Sequence, residues 1–259
     1  QASTLKAQQV SDGPTGFTKS LKVTSLAATT PGASDYYLVQ NYIEGLNSAH
    51  LGWGAAGAKN LVLSFWVKSS LTGTFSTAIR NSAYDRTNVQ TYAISSADTW
   101  EKKTITSGTW LTTNGIGLRV AWDLGGGSNF DAASTGSWLA TNDFTTSSST
   151  HVVATNAATW QITGVQLEID NGSGVATDFE YRSYGDELAR CRRYFQNWDC
   201  EGYFAAGGAT SAGASIVPCH YATEEMRATP TVTLPNTTSS TSSGQIRHSN
   251  HTGSTPATA

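Results

Sequence analysis

Alternation of core-type and outward-type side chains is the feature that most limits what this chain can become. Leu61, Leu63, Phe65 and Val67 alternate with Val62, Ser64, Trp66 and Lys68. Ile116, Leu118, Val120 and Trp122 alternate with Gly117, Arg119 and Ala121, and Tyr37, Val39, Asn41 and Ile43 alternate with Tyr36, Leu38, Gln40 and Tyr42. A period of two puts successive side chains on opposite faces of a pleated strand, so each run has one core face and one outward face. Residues 21–26, 74–80, 90–94, 100–105 and 160–169 are further strand candidates. The last changes phase. Ile162 belongs to one face, Val165, Leu167 and Ile169 to the other, and Gly164 stands at the change, as a β-bulge requires.

Turn chemistry separates the runs: Asp12-Gly13-Pro14, Thr72-Gly73, Leu124-Gly125-Gly126-Gly127-Ser128 and Asn171-Gly172-Ser173-Gly174. Eight or so short strands with such loops and no intervening helices predict an all-β fold, an antiparallel jelly-roll sandwich over residues 1–182. Eight Trp, ten Tyr and eight Phe are enough to fill its core. A short helix comes next, within 183–198. Ser183-Tyr184-Gly185-Asp186 has capping-box spacing, and Tyr184, Leu188, Cys191, Phe195 and Trp198 recur at steps of four and three. The helix is expected from about 184 to 196. It packs either on the chain's own sheet or on the same helix of symmetry-related chains. Residues 199–259 read as a small C-terminal β region that includes a strand over 226–234. The chain begins at Gln1 and stops in Thr-Pro-Ala-Thr-Ala, so it reads as a processed or partial chain, or as one ending in an exposed tail.

Composition narrows the function classes. Charged residues are 14% of the chain, and Ser, Thr, Gly and Ala take their place, which suits a surface packed against copies of itself. A net charge of −3 offers no electrostatic footprint for nucleic acid. The longest strongly apolar stretch, 60–67, is strand length and falls far short of the ~20 residues that cross a bilayer. Three cysteines, Cys191, Cys200 and Cys219, form no disulfide framework. Three reduced thiols are expected, with a Cys191–Cys200 pair as the alternative.

Four blocks carry a family resemblance, and they lie in the family's order across most of residues 15–234. They are the strand–turn–strand from Leu61 to Phe75, the run Thr99-Trp100-Glu101-Lys102-Lys103-Thr104-Ile105, the run Ile162-Thr163-Gly164-Val165-Gln166-Leu167-Glu168, and the stretch from Phe179 to Phe195. Together they resemble bacteriophage tail fibre and appendage proteins that contain a jelly roll like those of carbohydrate-binding modules. The family usually has Gln where this chain has Arg192. The resemblance implies a homotrimeric structural protein on the surface of a virion. It would be in contact with other virion proteins and with host-surface glycans, on the tail or on the head.

The sequence contains no phosphate loop, no nucleophile elbow and no zinc-binding helix motif, so no catalytic residue, cofactor or metal is expected. Glu44, Glu168 and Glu180 are scattered carboxylates that could pair as in a glycosidase, but ordinary surface positions account for them. His248-Ser249-Asn250-His251 could meet a transition metal on a threefold axis, though a solvated tail accounts for it as well. The outward-phase residues Trp66, Tyr42, Gln40, Arg119 and Gln166 are the candidate carbohydrate contacts. An exposed ring stacks on a sugar face while Arg and Gln donate to its hydroxyls. The competing reading is that a second layer covers this face and makes Trp66 ordinary packing. Tyr184, Leu188, Cys191, Phe195 and Trp198 are the candidate trimer contacts. Three functions compete: a fibre or appendage protein that adheres to glycans or is purely structural, a glycan-binding module of a larger secreted enzyme, and a glycan-degrading enzyme.

Overall fold

The computed structural model describes residues 4–52, 59–108, 116–196, 224, 226, 227, 245–250 and 253–258. The chain divides into two compact units, Gln1–Glu180 and Tyr181–Ala259. The first is a sandwich of two five-stranded antiparallel sheets. The first sheet contains β1 (Leu5–Val10), β2 (Ser20–Ser25), β10 (Thr159–Ile169), β4 (Asn60–Ser69) and β7 (Glu101–Gly108), in that spatial order. The second contains β3 (Tyr36–Glu44), β8 (Ile116–Gly126), β5 (Gly73–Asn81), β6 (Thr87–Ile94) and β9 (Trp138–Leu139). The chain changes sheet repeatedly, after β2, β3, β4, β6, β7 and β9, which is the interleaving of a jelly-roll sandwich. Two strands carry no clear sequence signal. β1 is an edge strand exposed along most of its length, so no burial pattern marks it, and β9 is only two residues long. Four short helical turns, α1 (Gly45–Ser48) and those at 49–51, 128–130 and 152–154, interrupt the loops.

The core lies between the sheets and keeps the expected phases. Leu61, Leu63, Phe65 and Val67 of β4 meet Leu118, Val120 and Trp122 of β8, with Phe75, Tyr92 and Trp160 beside them. The Phe65 ring stands edge-on to Tyr92 and to Trp122, with centroids 5.2 and 5.7 Å away. Fully burying a ring such as Phe65 removes about 2–3 kcal/mol of exposed apolar surface cost. One pair of buried rings is joined at its polar ends: Trp160 Nε1 donates to Tyr92 Oη at 3.3 Å. Burial pushes the Tyr92 phenol far up, so it stays a neutral acceptor and donor.

The phase change in β10 is a bulge. Thr163 pairs with Trp66 and Gln166 with Ser64, and Gly164 between them adopts φ +57°. A Cβ at Gly164 would lie 2.6 Å from Phe17 Cζ and 3.1 Å from Trp66 Cδ1, so the position needs glycine for its conformation and for its close packing.

In the second unit, Ser183 Oγ accepts from Asp186 N at the start of α2 (Tyr184–Arg192). The helix is one turn shorter than the spacing predicts. Tyr194 N and Phe195 N both turn back to Cys191 O, at 3.0 and 3.1 Å, which places Phe195 past the helix. β11 (Gln245–Asn250) and β12 (Gly253–Thr258) form an antiparallel hairpin. Trp198, Cys200, Cys219, His251 and most of the strand expected over 226–234 lie outside the described residues.

Candidate functional site

The five residues expected to share a carbohydrate face do not share one. Trp66 (β4) and Gln166 (β10) belong to the first sheet, whereas Gln40 and Tyr42 (β3) and Arg119 (β8) belong to the second. Alternation assigns each residue a face of its own strand. It does not say which strands become neighbours, and that is where the expectation fails.

The outward face of the first sheet is covered by the chain itself. Phe17 packs against Gly164 next to Trp66, and its ring meets Phe179 edge-on at 4.9 Å. Gln166 is fully engaged in holding the strap that comes after β10. Its Nε2 donates to Thr177 Oγ1 and Asp178 O, and its Oε1 accepts from Glu180 N at 2.8 Å. Trp66 and Gln166 are therefore packing and tethering residues in this structure. The candidate carboxylates are separated too: Glu44 ends β3, and Glu168 on β10 binds Thr177 N and Oγ1. These hydrogen bonds hold the Glu168 carboxyl below its usual range against the opposing effect of its partial burial.

The outward face of the second sheet is different. Strand register aligns Tyr42, Arg119, Arg80 and Thr87 in one row across β3, β8, β5 and β6, and Gln40, Ala121, Ala78 and Val89 in the next. The β8–β10 connection covers the second row, where Phe144 packs on Ala78 and Val89. It is tied down where Thr87 Oγ1 donates to Asp143 O at 2.7 Å and Arg80 Nη1 donates to Asn142 Oδ1 at 2.9 Å. The first row forms the rim of this cover. Tyr42 is 52% exposed there. Tyr84, from the β5–β6 turn, is 37% exposed.

Tyr84 sits over the row through an unusual turn. Its φ is +59°, a left-handed conformation that costs a non-glycine residue roughly 1–2 kcal/mol. Asn81 and Asp85 hold the turn reciprocally: Asn81 Nδ2 donates to Asp85 Oδ1 at 2.6 Å, and Asp85 N donates to Asn81 Oδ1 at 3.2 Å. As a result the Tyr84 ring lies 3.6 Å from Arg119 Cζ and 4.9 Å from Arg80 Cζ. Tyr42 lies 5.3 Å from Arg119 Cζ on the other side. Two guanidiniums are thus held side by side beneath two exposed phenol rings.

The electrostatics are lopsided. Arg80 and Arg119 are 3% and 7% exposed. Arg80 Nη2 donates to Gln40 Oε1 at 2.6 Å, so its two side-chain acceptors, Gln40 and Asn142, are neutral amides. Arg80 Nε and Arg119 Nε and Nη1 are buried without a hydrogen-bond partner among the described residues. Burial, opposed by Tyr84 and reinforced by the Arg119 charge, pushes Arg80 down to about 10, which still leaves it cationic at neutral pH. Asp123 lies on the same face, further along β8, but it is turned to other partners. It accepts from Thr145 Oγ1 at 2.7 Å and Gly125 N at 2.9 Å, and its Oδ2 is 3.6 Å from His151 Nε2. Burial pushes the Asp123 carboxyl up to about 7 and the His151 imidazole down.

Gln40, Tyr42 and Arg119 are marked by the alternation in the sequence, whereas Arg80, Tyr84 and Asn142 are not among the expected contacts. Arg80 is within reach, since it stands out of phase with Phe75 and Ile79 on a recognised strand. Nothing in the sequence marks Tyr84 or Asn142, which arrive on a turn and a long loop. A polar cleft of about 730 Å³ opens beside Trp138, Asn60, Thr106 and Asp170. Two of its acceptors are in use: Asn88 Oδ1 takes Gln90 Nε2, and Asp170 Oδ1 takes the N–H groups of Gly172 and Gly174. Among the described residues, no cluster of three His, Cys, Asp or Glu could hold a metal ion.

No protein-family profile matches the chain, and no curated protein matches it in sequence. Solved structures do. A Family 16 Carbohydrate Binding Module aligns over 62% of this chain and 84% of its own, at 14% identity and a TM-score of 0.31. The CBM22-1 xylan-binding domain of Paenibacillus barcinonensis Xyn10C aligns over 64% and 81%, at 11% identity and 0.30. The enzymatically active domain of bacteriophage CBA120 tailspike protein 4 aligns over 64% of this chain but only 18% of its own, at 11% identity and 0.33. With likenesses this distant, the fold rests on its own sheet order and register.

Proposed function

We propose that this chain is a non-enzymatic glycan-binding protein that uses the outward face of its second sheet, at Gln40, Tyr42, Arg80, Tyr84 and Arg119. The observation that carries this reading is the pairing of two exposed phenol rings with recessed, unpartnered donors on a rigid sheet. Sugar rings offer apolar C–H faces and hydroxyls that need hydrogen bonds. Exposed aromatic rings and fixed polar groups meet both requirements. Electrophoresis through gels containing polysaccharide tests it directly. The protein is expected to be retarded by at least one polysaccharide, and Tyr42→Ala is expected to move freely. Free migration of the unaltered protein through neutral and acidic polysaccharides alike would count against the reading.

We further place the chain in a virion fibre or appendage as a homotrimer, with tail and head positions both open. The support is the ordered set of sequence blocks and the seam of the second unit. Tyr184 and Phe195 are 81% and 73% exposed, Cys191 is exposed, and Leu188 is only half-buried. A membership in a larger secreted enzyme would use the same glycan face without the seam. Native mass separates the two: three copies per particle are expected, and a monomer at micromolar concentration favours the enzyme-borne module.

A further inference from the structure

The arginine pair goes further than a generic sugar site, and its assignment rests on the glycan-binding function proposed for the second sheet. Arg80 and Arg119 are register partners on adjacent strands, so their charges are held together by the backbone ladder itself. Among the described residues, no carboxylate forms an ion pair with either guanidinium. The faces around them are the rings of Tyr42, Tyr84 and Phe144, and the acceptors are the amides of Gln40 and Asn142. Asp85 and Asp143 stand near the rim, but Asp85 Oδ1 takes Asn81 Nδ2 and Asp143 Oδ2 takes Thr141 Oγ1.

A neutral hydroxyl accepts hydrogen bonds but brings no counter-charge. Two like charges buried side by side call for a counter-charge, because buried cations without one are costly. The planar fork of arginine matches a carboxylate in two parallel bonds. The ring over Arg119 belongs to the partly exposed Tyr84, so the pair lies directly beneath a solvent-facing row.

We propose that the ligand is an acidic saccharide, a sugar ring bearing a carboxylate, whose anion is taken by the Arg80–Arg119 pair while Tyr42 and Tyr84 flank the ring. No covalent step is involved; the carboxylate exchanges water for guanidinium hydrogen bonds.

A glycan array with neutral, hexuronic, sialylated and sulfated members tests this. It is paired with a solution measurement on one hexuronic oligosaccharide and its carboxyl-reduced counterpart. The expected result is binding confined to carboxylated members, at least tenfold weaker after carboxyl reduction and at least tenfold weaker for Arg119→Gln. Arg119→Lys keeps the charge without the fork and is expected to fall between them. The carboxyl-reduction comparison uses the unaltered protein, so a folding defect in a variant cannot mimic it. Equal binding of neutral members overturns the acidic assignment and leaves the glycan reading standing. Binding of sulfated but not carboxylated members overturns the carboxylate. Carboxylate-dependent binding that survives both Arg119→Gln and Arg80→Gln moves the anion elsewhere and overturns the site. Binding to no member removes the glycan reading, and the acidic saccharide with it.

Discussion

At the scale of single residues, the second sheet carries two arrangements that cost stability, and each predicts a measurable response. Among the described residues, Arg119 is a buried cation without an acidic partner, packed beside a second one. Replacing one partner of a buried ion pair normally costs about 3–5 kcal/mol. Arg119→Met removes no such pair and relieves like-charge repulsion, so its melting temperature is expected to equal or exceed that of the unaltered protein. A fall of several degrees would show that the guanidinium is structural.

Asp123 behaves oppositely to an ordinary surface carboxylate. Burial raises its folded pKa to about 7 from 3.8, so its stabilising contribution is complete below pH 4 and is lost as pH rises through 7. His151, lowered by burial, opposes this: its contribution is present above its unfolded value near 6.5 and is lost as pH falls through its folded value. The Asp123 shift is the larger. Stability is therefore expected to fall by on the order of 2 kcal/mol from pH 5 to pH 8. Asp123→Asn can keep the Gly125 bond at its Oδ1 and donate from Nδ2 to Thr145 Oγ1, whose hydroxyl then points to Thr146 O, so it is expected to flatten that slope. Thermal melts at the two pH values check it, and an unchanged slope in the variant assigns the dependence to another group.

At the scale of elements, local pattern and spatial neighbourhood part company. The alternation in β3, β4 and β8, the bulge at Gly164 and the cap at Ser183 are all legible in the sequence, because each depends on residues within a few positions of one another. The composition of the proposed glycan face is not. Tyr42 and Trp66 share the same outward phase, yet β3 and β4 enter different sheets, and strand partners are set by contacts across the whole core. Tyr84 is invisible because its position depends on a left-handed turn clamped by Asn81 and Asp85. That clamp yields a prediction of its own. Asn81→Ala removes both side-chain bonds across the turn and is expected to free Tyr84 from Arg119, weakening glycan binding several-fold while leaving the core intact. Unaltered binding in Asn81→Ala would show that the turn does not set the site.

At the scale of the whole molecule, the two sheets have different work. The outward side of the first sheet is closed by its own chain, through Phe17, Phe179 and the strap held by Gln166. The second leaves a row of rings and cations at the edge of its cover. The seam of the second unit is a separate matter. Replacing Leu188 and Phe195 with Lys is expected to split the proposed trimer into monomers without altering the melting of the sandwich, since burying each residue between chains would contribute on the order of 2 kcal/mol.

The central claim is that glycan is bound on the second sheet and not the first. It is tested most directly by comparing Tyr42→Ala, Tyr84→Ala and Trp66→Ala for binding to one saccharide, at a temperature where all three are folded. Loss of one stacking ring is worth about 1 kcal/mol, so each tyrosine variant is expected to bind roughly five- to tenfold more weakly, with Trp66→Ala unchanged. Weakened binding in Trp66→Ala together with full binding in both tyrosine variants would contradict the claim and place the site on the first sheet.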